Sequence, residues 1–295
     1  MFARTIVSIL FSILLLFTLG CSEPASNEVN ASEVNKNLVS EVKNAVETTS
    51  PVLTDEQSPS SIDDIEYLTV NVIERRNHNE DAFSQGFEFN GGRLYESHGL
   101  YGKSGISEIN PNDGNLIRWL PLGNEFFGEG LTIVGDYLFQ LTWRNGIVNI
   151  IDIDSFEIVN VFSYEGEGWG LCFDGEFLYM SNGSNSLTVR DPSSFVIVKE
   201  ILVRNNGNPV QAINELECVG DIIYANIWQT DTILKIDNES GNVLATIDAS
   251  GLLTSDESTS ADVLNGIAYN HDSETFLITG KLWPAMFEVT FEKSS

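Results

Sequence analysis

Phe126-Phe127-Gly128-Glu129-Gly130-Leu131-Thr132-Ile133-Val134-Gly135-Asp136-Tyr137-Leu138-Phe139-Gln140-Leu141-Thr142-Trp143 reads as two short strands around a tight turn. Leu131 to Val134 and Tyr137 to Leu141 are rich in apolar, β-branched and aromatic residues, and Gly135-Asp136 between them is turn chemistry. Two residues stand outside this skeleton: Glu129, before the first strand, and Trp143, 14 residues later and just past the second. The same phrase recurs from residue 85 to residue 281. Gln85, Trp169, Asn214 and Asn265 open it elsewhere, with partners Gly99, Gly183, Trp228 and Lys281 at spacings of 14, 14, 14 and 16. The longer last interval spans the wider turn Asn270-His271-Asp272-Ser273-Glu274. A skeleton held constant while its special positions carry Gln, Glu, Asn, Lys and Trp offers those positions to one common site.

Two further strands follow each pair, as in Ile147 to Ile153 and Phe156 to Phe162. With Gly86, Gly130, Gly170, Glu215 and Gly266 as markers, the repeat lengths are 44, 40, 45 and 51 residues, the period of a four-stranded propeller blade. Five units begin, but the last has room for only three strands before Ser295. Tyr67-Leu68-Thr69-Val70-Asn71-Val72-Ile73 belongs to no unit and can supply the missing one. The expectation is an all-β, five-bladed β-propeller closed by pairing that N-terminal strand with the last blade, which removes exposed edges. A two-sheet sandwich would explain the strands but not the repeated register. In a propeller, Gln85, Glu129, Trp169, Asn214 and Asn265 converge as a ring around the channel mouth. Trp143, Trp228 and Lys281 form a collar outside it, with gaps at Gly99 and Gly183. Such a pocket, aromatic with a few convergent polar groups, suits a small ligand.

The remaining sequence bounds the compartment and the partners. Residues 1–21 read as a lipoprotein-type signal: Arg4, then the apolar stretch Ile6 to Phe17, then Thr18-Leu19-Gly20-Cys21, with Cys21 the expected lipidation site. The usual pattern places Leu where Thr18 stands, so an ordinary secretory signal is the alternative. Residues 22–62 read as a flexible acidic tether, and 63–295 as the propeller domain. The protein is therefore expected to be exported and held to a bacterial membrane only through its lipid, as a monomer. A formal net charge of −28 disfavours nucleic acid and anionic surfaces, and favours cationic peptides or plain solubility. Aligning the repeats sets Cys172 opposite Glu217 and Cys218 opposite Phe173. Their side chains then alternate onto different strand faces, so no disulfide is expected between them.

Glu129 is the only carboxylate of the inner ring, and apolar walls would raise its pKa enough to make it a general acid. The alternative is that it hydrogen-bonds backbone amides of a neighbouring blade. Lys281 could stabilise negative charge on a substrate oxygen, or pair with Glu129 and lower the pKa an acid needs. Trp119 and Trp283 read as packing. His78, His98 and His271 lack ligand spacing, no His-Cys cluster suggests zinc, and no Gly-x-Ser-x-Gly elbow is present. Acidic turns such as Asp152 to Asp154 read as solvated rather than Ca²⁺-holding.

Several of these stretches are ordered motifs. Asp81-Ala82-Phe83-Ser84-Gln85-Gly86, Phe127-Gly128-Glu129-Gly130-Leu131-Thr132 and Glu167-Gly168-Trp169-Gly170 are followed by Asn214-Glu215-Leu216-Glu217, Ala225-Asn226-Ile227-Trp228 and Thr279-Gly280-Lys281-Leu282-Trp283-Pro284. Over about residues 66 to 292 the chain resembles the plant and bacterial type of glutamine cyclotransferase. The resemblance implies a five-bladed propeller that converts N-terminal glutamine of peptides to pyroglutamate with release of ammonia, without a metal or other cofactor. By similarity Glu129 handles the protons and Gln85 and Asn214 hold the substrate's amide and amine groups. Phe83, Phe127, Trp143, Trp169 and Trp228 form the cage, and Lys281 assists at the rim. Departures include His98, where a small hydroxyl residue is common; beside Gly99, it is the one departure expected to touch substrate preference. A catalytically silent propeller that binds peptide N-termini is the main rival. A metal-dependent propeller lactonase is a weaker one, because it needs more carboxylates than the ring offers.

Overall fold

The computed structural model describes residues 65–294, so the leader, Cys21 and the tether lie outside the described residues. Within that span the chain is strand after strand, with one short 3-10 turn at Glu257–Thr259. After β1 (Glu66–Asn77), the strands β2 (Ser84–Asn90), β3 (Arg93–His98), β4 (Gly105–Ile109) and β5 (Leu116–Pro121) form a sheet in that order. A second sheet holds β6 (Gly128–Val134), β7 (Tyr137–Thr142), β8 (Ile147–Asp152) and β9 (Glu157–Ser163). A third holds β10 (Leu171–Phe173), β11 (Leu178–Met180), β12 (Ser186–Arg190) and β13 (Ile197–Leu202), and is followed by the small hairpin β14 (Arg204–Asn205) and β15 (Asn208–Pro209). The last strands are β16 (Ile213–Val219), β17 (Ile222–Ile227), β18 (Thr232–Asp237), β19 (Val243–Asp248), β20 (Leu264–Asn270), β21 (Thr275–Gly280) and β22 (Ala285–Lys293). With β1 they make one eight-stranded sheet in the order β16-β17-β18-β19-β1-β22-β21-β20.

Local chemistry sets the hairpins. Asn90 pairs with Arg93 across Gly91 and Gly92, whose φ values of 56° and 78° give the two-residue turn that matches strand twist. The arrangement of sheets is propeller-like. The first strand of each group lies against the first strand of the next: β2 on β6, β6 on β10, β10 on β16, β16 on β20, and β20 back on β2. Glycine permits that approach near the axis. A Cβ at Gly86 would lie 2.4 Å from Leu131 N, at Gly130 2.6 Å from Leu171 N, and at Gly170 2.1 Å from Asn214 O. Glu215 takes the equivalent place in β16, and its carboxylate accepts hydrogen bonds from the amides of Phe87 (3.2 Å) and Ile267 (2.9 Å). A buried carboxyl thus ties three inner strands together.

The apolar core lies between neighbouring sheets. Tyr95, Ile106, Leu131 and Leu138 join the first to the second, while Phe87, Leu94, Ala268 and Leu277 join the first to the last group and close the circle. β1 pairs antiparallel with β22, Leu68 opposite Lys293 through to Asn77 opposite Ala285, as Tyr67 to Ile73 leads one to expect. It also pairs parallel with β19 from Glu66 to Thr69, so one strand covers two edges.

One expectation is overturned. Cys172 and Cys218 form a disulfide, with Cα atoms 5.4 Å apart. The two residues do project from opposite faces of equivalent strands, but stacked sheets bring the opposite face of one to the facing side of the next. Alternation onto different faces therefore brings these side chains together instead of separating them.

Candidate active site

Four of the five ring residues, all but Trp169, owe their direction to β-bulges. Register shifts occur between Ser84 and Gly86, Gly128 and Leu131, Ile213 and Leu216, and Leu264 and Ile267, which places Gln85, Glu129, Asn214 and Asn265 at the irregularities. A bulge re-aims a side chain that regular alternation would place against a neighbouring sheet. The constant spacing has a backbone cause as well. Gly99 N donates to Phe83 O (2.9 Å), Trp143 N to Phe127 O (2.9 Å), Trp228 N to Ala212 O (2.8 Å) and Lys281 N to Val263 O (2.9 Å), each closing the hairpin beyond its bulge.

The strand ends so arranged surround a cavity of about 550 Å³. Phe83, Gln85, Phe127, Glu129, Trp143, Trp169, Asn214, Trp228 and Lys281 all reach it. The aromatic rings form an arc of two clusters, joined where Trp143 and Trp169 share Glu167 as acceptor. Phe83 meets Phe127 edge-on at 6.1 Å, Phe127 meets Trp143 at 5.5 Å, and Trp169 meets Trp228 edge-on at 5.6 Å. Gly99 and Gly183 are seats for this arc rather than gaps in the collar. A Cβ at Gly99 would lie 2.4 Å from the Phe127 ring, and one at Gly183 would lie 2.7 Å from the Trp169 ring.

Glu129 is 4% exposed, and among the described residues nothing hydrogen-bonds its carboxyl. The alternative task of holding backbone amides falls to Glu215 and to Glu217, which accepts from Tyr269 N at 2.9 Å. Burial lifts the Glu129 pKa well above the ordinary carboxylate range; Lys281 pulls it down and Glu167 adds to the rise, with burial dominant. Burial likewise lowers the pKa of Lys281, against the opposing pull of Glu129 and Asp262. The Lys281 ammonium sits over the Phe83 ring, 4.9 Å from its centroid, and makes no ion pair among the described residues. The site thus holds an acid biased toward its protonated form beside a cation it does not directly pair with.

Sequence reasoning missed the residue that organises the cage. Glu167 accepts from Trp143 Nε1 (2.8 Å), Trp169 Nε1 (3.1 Å) and Arg144 Nε (2.8 Å), and Arg144 stacks on Trp143 with its guanidinium 3.7 Å from the ring centroid. Burial works to raise the Glu167 pKa, but these donors outweigh it and hold the carboxylate ionised. Its signal lay in its place two residues before Trp169, where an indole N–H needs an acceptor. Three expected positions differ. Asn265 lies in the ring but stays out of the cavity. His98 turns away into a second cavity of about 450 Å³, where it bonds Ser107 Oγ (2.8 Å) and meets Trp119 edge-on at 5.0 Å. His98 is thus absent from the lining of the aromatic cavity, contrary to the expectation that it touches substrate preference, and Gly99 beside it packs against the Phe83 and Phe127 rings. Trp119, expected as packing, is 40% exposed and borders that second cavity. Trp283 does pack, with its Nε1 donating to Asp262 O (2.8 Å). No group of three His, Cys, Asp or Glu among the described residues is arranged to hold a metal ion.

A family model described as glutamine cyclotransferase matches residues 44–291. The chain belongs to the glutamine cyclotransferase family. A glutaminyl-peptide cyclotransferase of Arabidopsis thaliana is 36% identical to it over 232 residues, covering 77% of this chain and 72% of the relative. The crystal structure of Myxococcus xanthus glutaminyl cyclase superposes with a TM-score of 0.72 at 36% identity, covering 79% of this chain and all of that one.

Proposed function

We propose that the protein is a glutaminyl-peptide cyclotransferase built on a five-bladed propeller, with β1 completing the last blade. The observation that carries the chemistry is a buried carboxyl, free of internal hydrogen bonds, set among aromatic walls beside Gln85, Asn214 and Lys281. The aromatic arc holds the glutaminyl end folded, so that its α-amine nitrogen reaches the side-chain amide carbon. A bond forms between that nitrogen and that carbon, and the carbonyl electron pair moves onto oxygen, where the donors of Gln85 and Lys281 stabilise it. Collapse of this intermediate restores the C=O bond and breaks the bond to the amide nitrogen. Glu129 gives its proton to that departing nitrogen, and takes back one from the newly made ring nitrogen. Ammonia and a pyroglutamyl peptide leave, and the acid is restored. This cycle needs Glu129 protonated when the substrate arrives, which is the form burial favours.

Incubation with a Gln-initiated peptide should give a pyroglutamyl product and one equivalent of ammonia, read by mass and by ammonia release. Absence of turnover from about pH 6 to about pH 9 with binding retained would favour the silent peptide-binding propeller instead. Chelators should leave the rate unchanged, whereas a lactonase would lose activity. We further propose export with Cys21 as the lipid-bearing residue, the membrane being met only through that anchor. Replacing Cys21 by Ser should move the protein from the membrane fraction to the soluble one.

A further inference from the structure

Asn265 is wholly buried, and its side-chain nitrogen is committed inside the protein. It donates to Ser84 O at 2.9 Å and to Gln85 Oε1 at 3.1 Å. A backbone carbonyl can only accept, so the Asn265 atom facing Ser84 O has to be Nδ2. The same nitrogen directs its second proton at Gln85, and only the oxygen of the Gln85 carboxamide can receive it. Connectivity alone therefore assigns both amides, which are otherwise hard to tell end from end. With Oε1 engaged, Gln85 turns Nε2 to the cavity, and that nitrogen has no partner among the described residues. Asn214 is not held in this way: its side chain makes no hydrogen bond among the described residues, whereas Asn265 leaves only its Oδ1 unpartnered.

The lock is anchored from behind. Ser84 Oγ donates to Glu96 Oε1 (2.5 Å), the same oxygen faces His78 Nε2 (3.0 Å), and His78 Nδ1 bonds Trp283 O (2.8 Å). Ser84 O is thus fixed by a buried chain, and Asn265 transfers that fixed position to Gln85. We propose that Asn265 is a positioning residue of the cyclisation, locking the Gln85 carboxamide so that its N–H donors, not its carbonyl oxygen, face the substrate's amide oxygen. The inference rests on the cyclotransferase reading above. A reversed carboxamide would set a lone pair against the oxygen that gains negative charge, so orientation matters as much as presence.

Kinetics with a Gln-initiated peptide on Asn265→Ala, Gln85→Met and the double variant test it. Asn265→Ala should lower kcat by roughly 10- to 100-fold with little change in KM, as expected for a misplaced catalytic contact. In the Gln85→Met background the same change should cost less than about 3-fold, because Asn265 then has nothing to orient. Losses that multiply, or wild-type rates in Asn265→Ala, overturn the proposal. If Asn265→Ala does not fold, Gln85→Glu serves: it keeps an acceptor for Asn265 and replaces the donors by a carboxyl oxygen, and kcat should fall at least about 100-fold, an unchanged rate overturning the proposal. If the wild-type protein shows no turnover, the cyclotransferase reading fails while the lock is still read by NMR. The Gln85 side-chain amide resonances, identified by their loss in Gln85→Met, should shift in Asn265→Ala, and unchanged resonances would overturn the lock itself.

Discussion

Glu129 and Glu167 show how two carboxyls one sheet apart acquire opposite protonation states. Glu129 has walls and no donors; Glu167 has three donors and partial contact with water. Glu129→Gln should therefore lower kcat by about 10²- to 10⁴-fold while preserving the fold. It should also raise the melting temperature at pH 8 relative to pH 5, because the amide never has to be kept from ionising; an equal difference at both pH values would contradict the assigned environment. Glu167→Ala leaves two indoles and Arg144 without their shared acceptor, and should lower kcat/KM by about 10-fold. The groups facing Glu129 are Lys281, Glu167 and Tyr164, with Arg144 paired to Glu167 and Asp262 beside Lys281. Removing the Glu167 charge lets the Glu129 pKa fall, so the alkaline limb of the kcat/KM profile should move to lower pH. At this scale the sequence was informative wherever the repeat placed an odd residue at a fixed position, which is why Glu129, Asn214 and the tryptophans were legible. Glu167 and Arg144 sit off the repeat, and their partners are set by ring edges that spacing does not record.

Four of the five inner strands, β2, β6, β16 and β20, are irregular elements whose defect is their function, while β10 pairs regularly. The bulges at Gln85, Glu129, Asn214 and Asn265 appear in the sequence only as a polar residue interrupting an apolar start, and the fixed interval to the collar is the trace of the hairpin closing beyond them. Glycine at Gly86, Gly130 and Gly170 was readable as a marker, but the reason for it was not, since it lies in the backbone of the next strand around the ring. Gly170→Ala drives a Cβ to 2.1 Å from Asn214 O and should cost about 1–3 kcal/mol in denaturant unfolding. Its kcat should fall as well, because Asn214 is the group displaced; full activity at reduced stability would separate the two. The disulfide was misread for a related reason: pattern arguments describe faces of one sheet, whereas Cys172 and Cys218 meet across two.

The whole molecule carries several buried carboxyls, and their sum sets its response to pH. Burial raises the pKa of Glu129, Glu215 and Glu217, and pushes Glu88 up to about 8 against the hydrogen bond from Thr132. In the unfolded chain these groups ionise near 4.5, so above that value the unfolded state binds fewer protons than the folded one, and stability falls as pH rises toward about 8. Glu96 acts in the other direction: burial opposes its ionisation, but His78 and His98 bring it down to about 2, so its contribution disappears as pH falls from 4.5 toward 2. Melting temperatures should therefore peak near pH 5 and decline toward pH 8. A rise over that interval would contradict the carboxyl environments described.

The strand that completes the last group also has a direction. β1 begins at Glu66, ion-paired to Lys293 at 3.0 Å, and ends at Asn77 opposite Ala285, just past the Lys281 turn that borders the cavity. The first described strand therefore starts at the end of the propeller-like body remote from the cavity and runs toward it. A fusion partner or affinity label joined ahead of β1 therefore starts from the far side of the described body, and does not begin at the rim of the cavity.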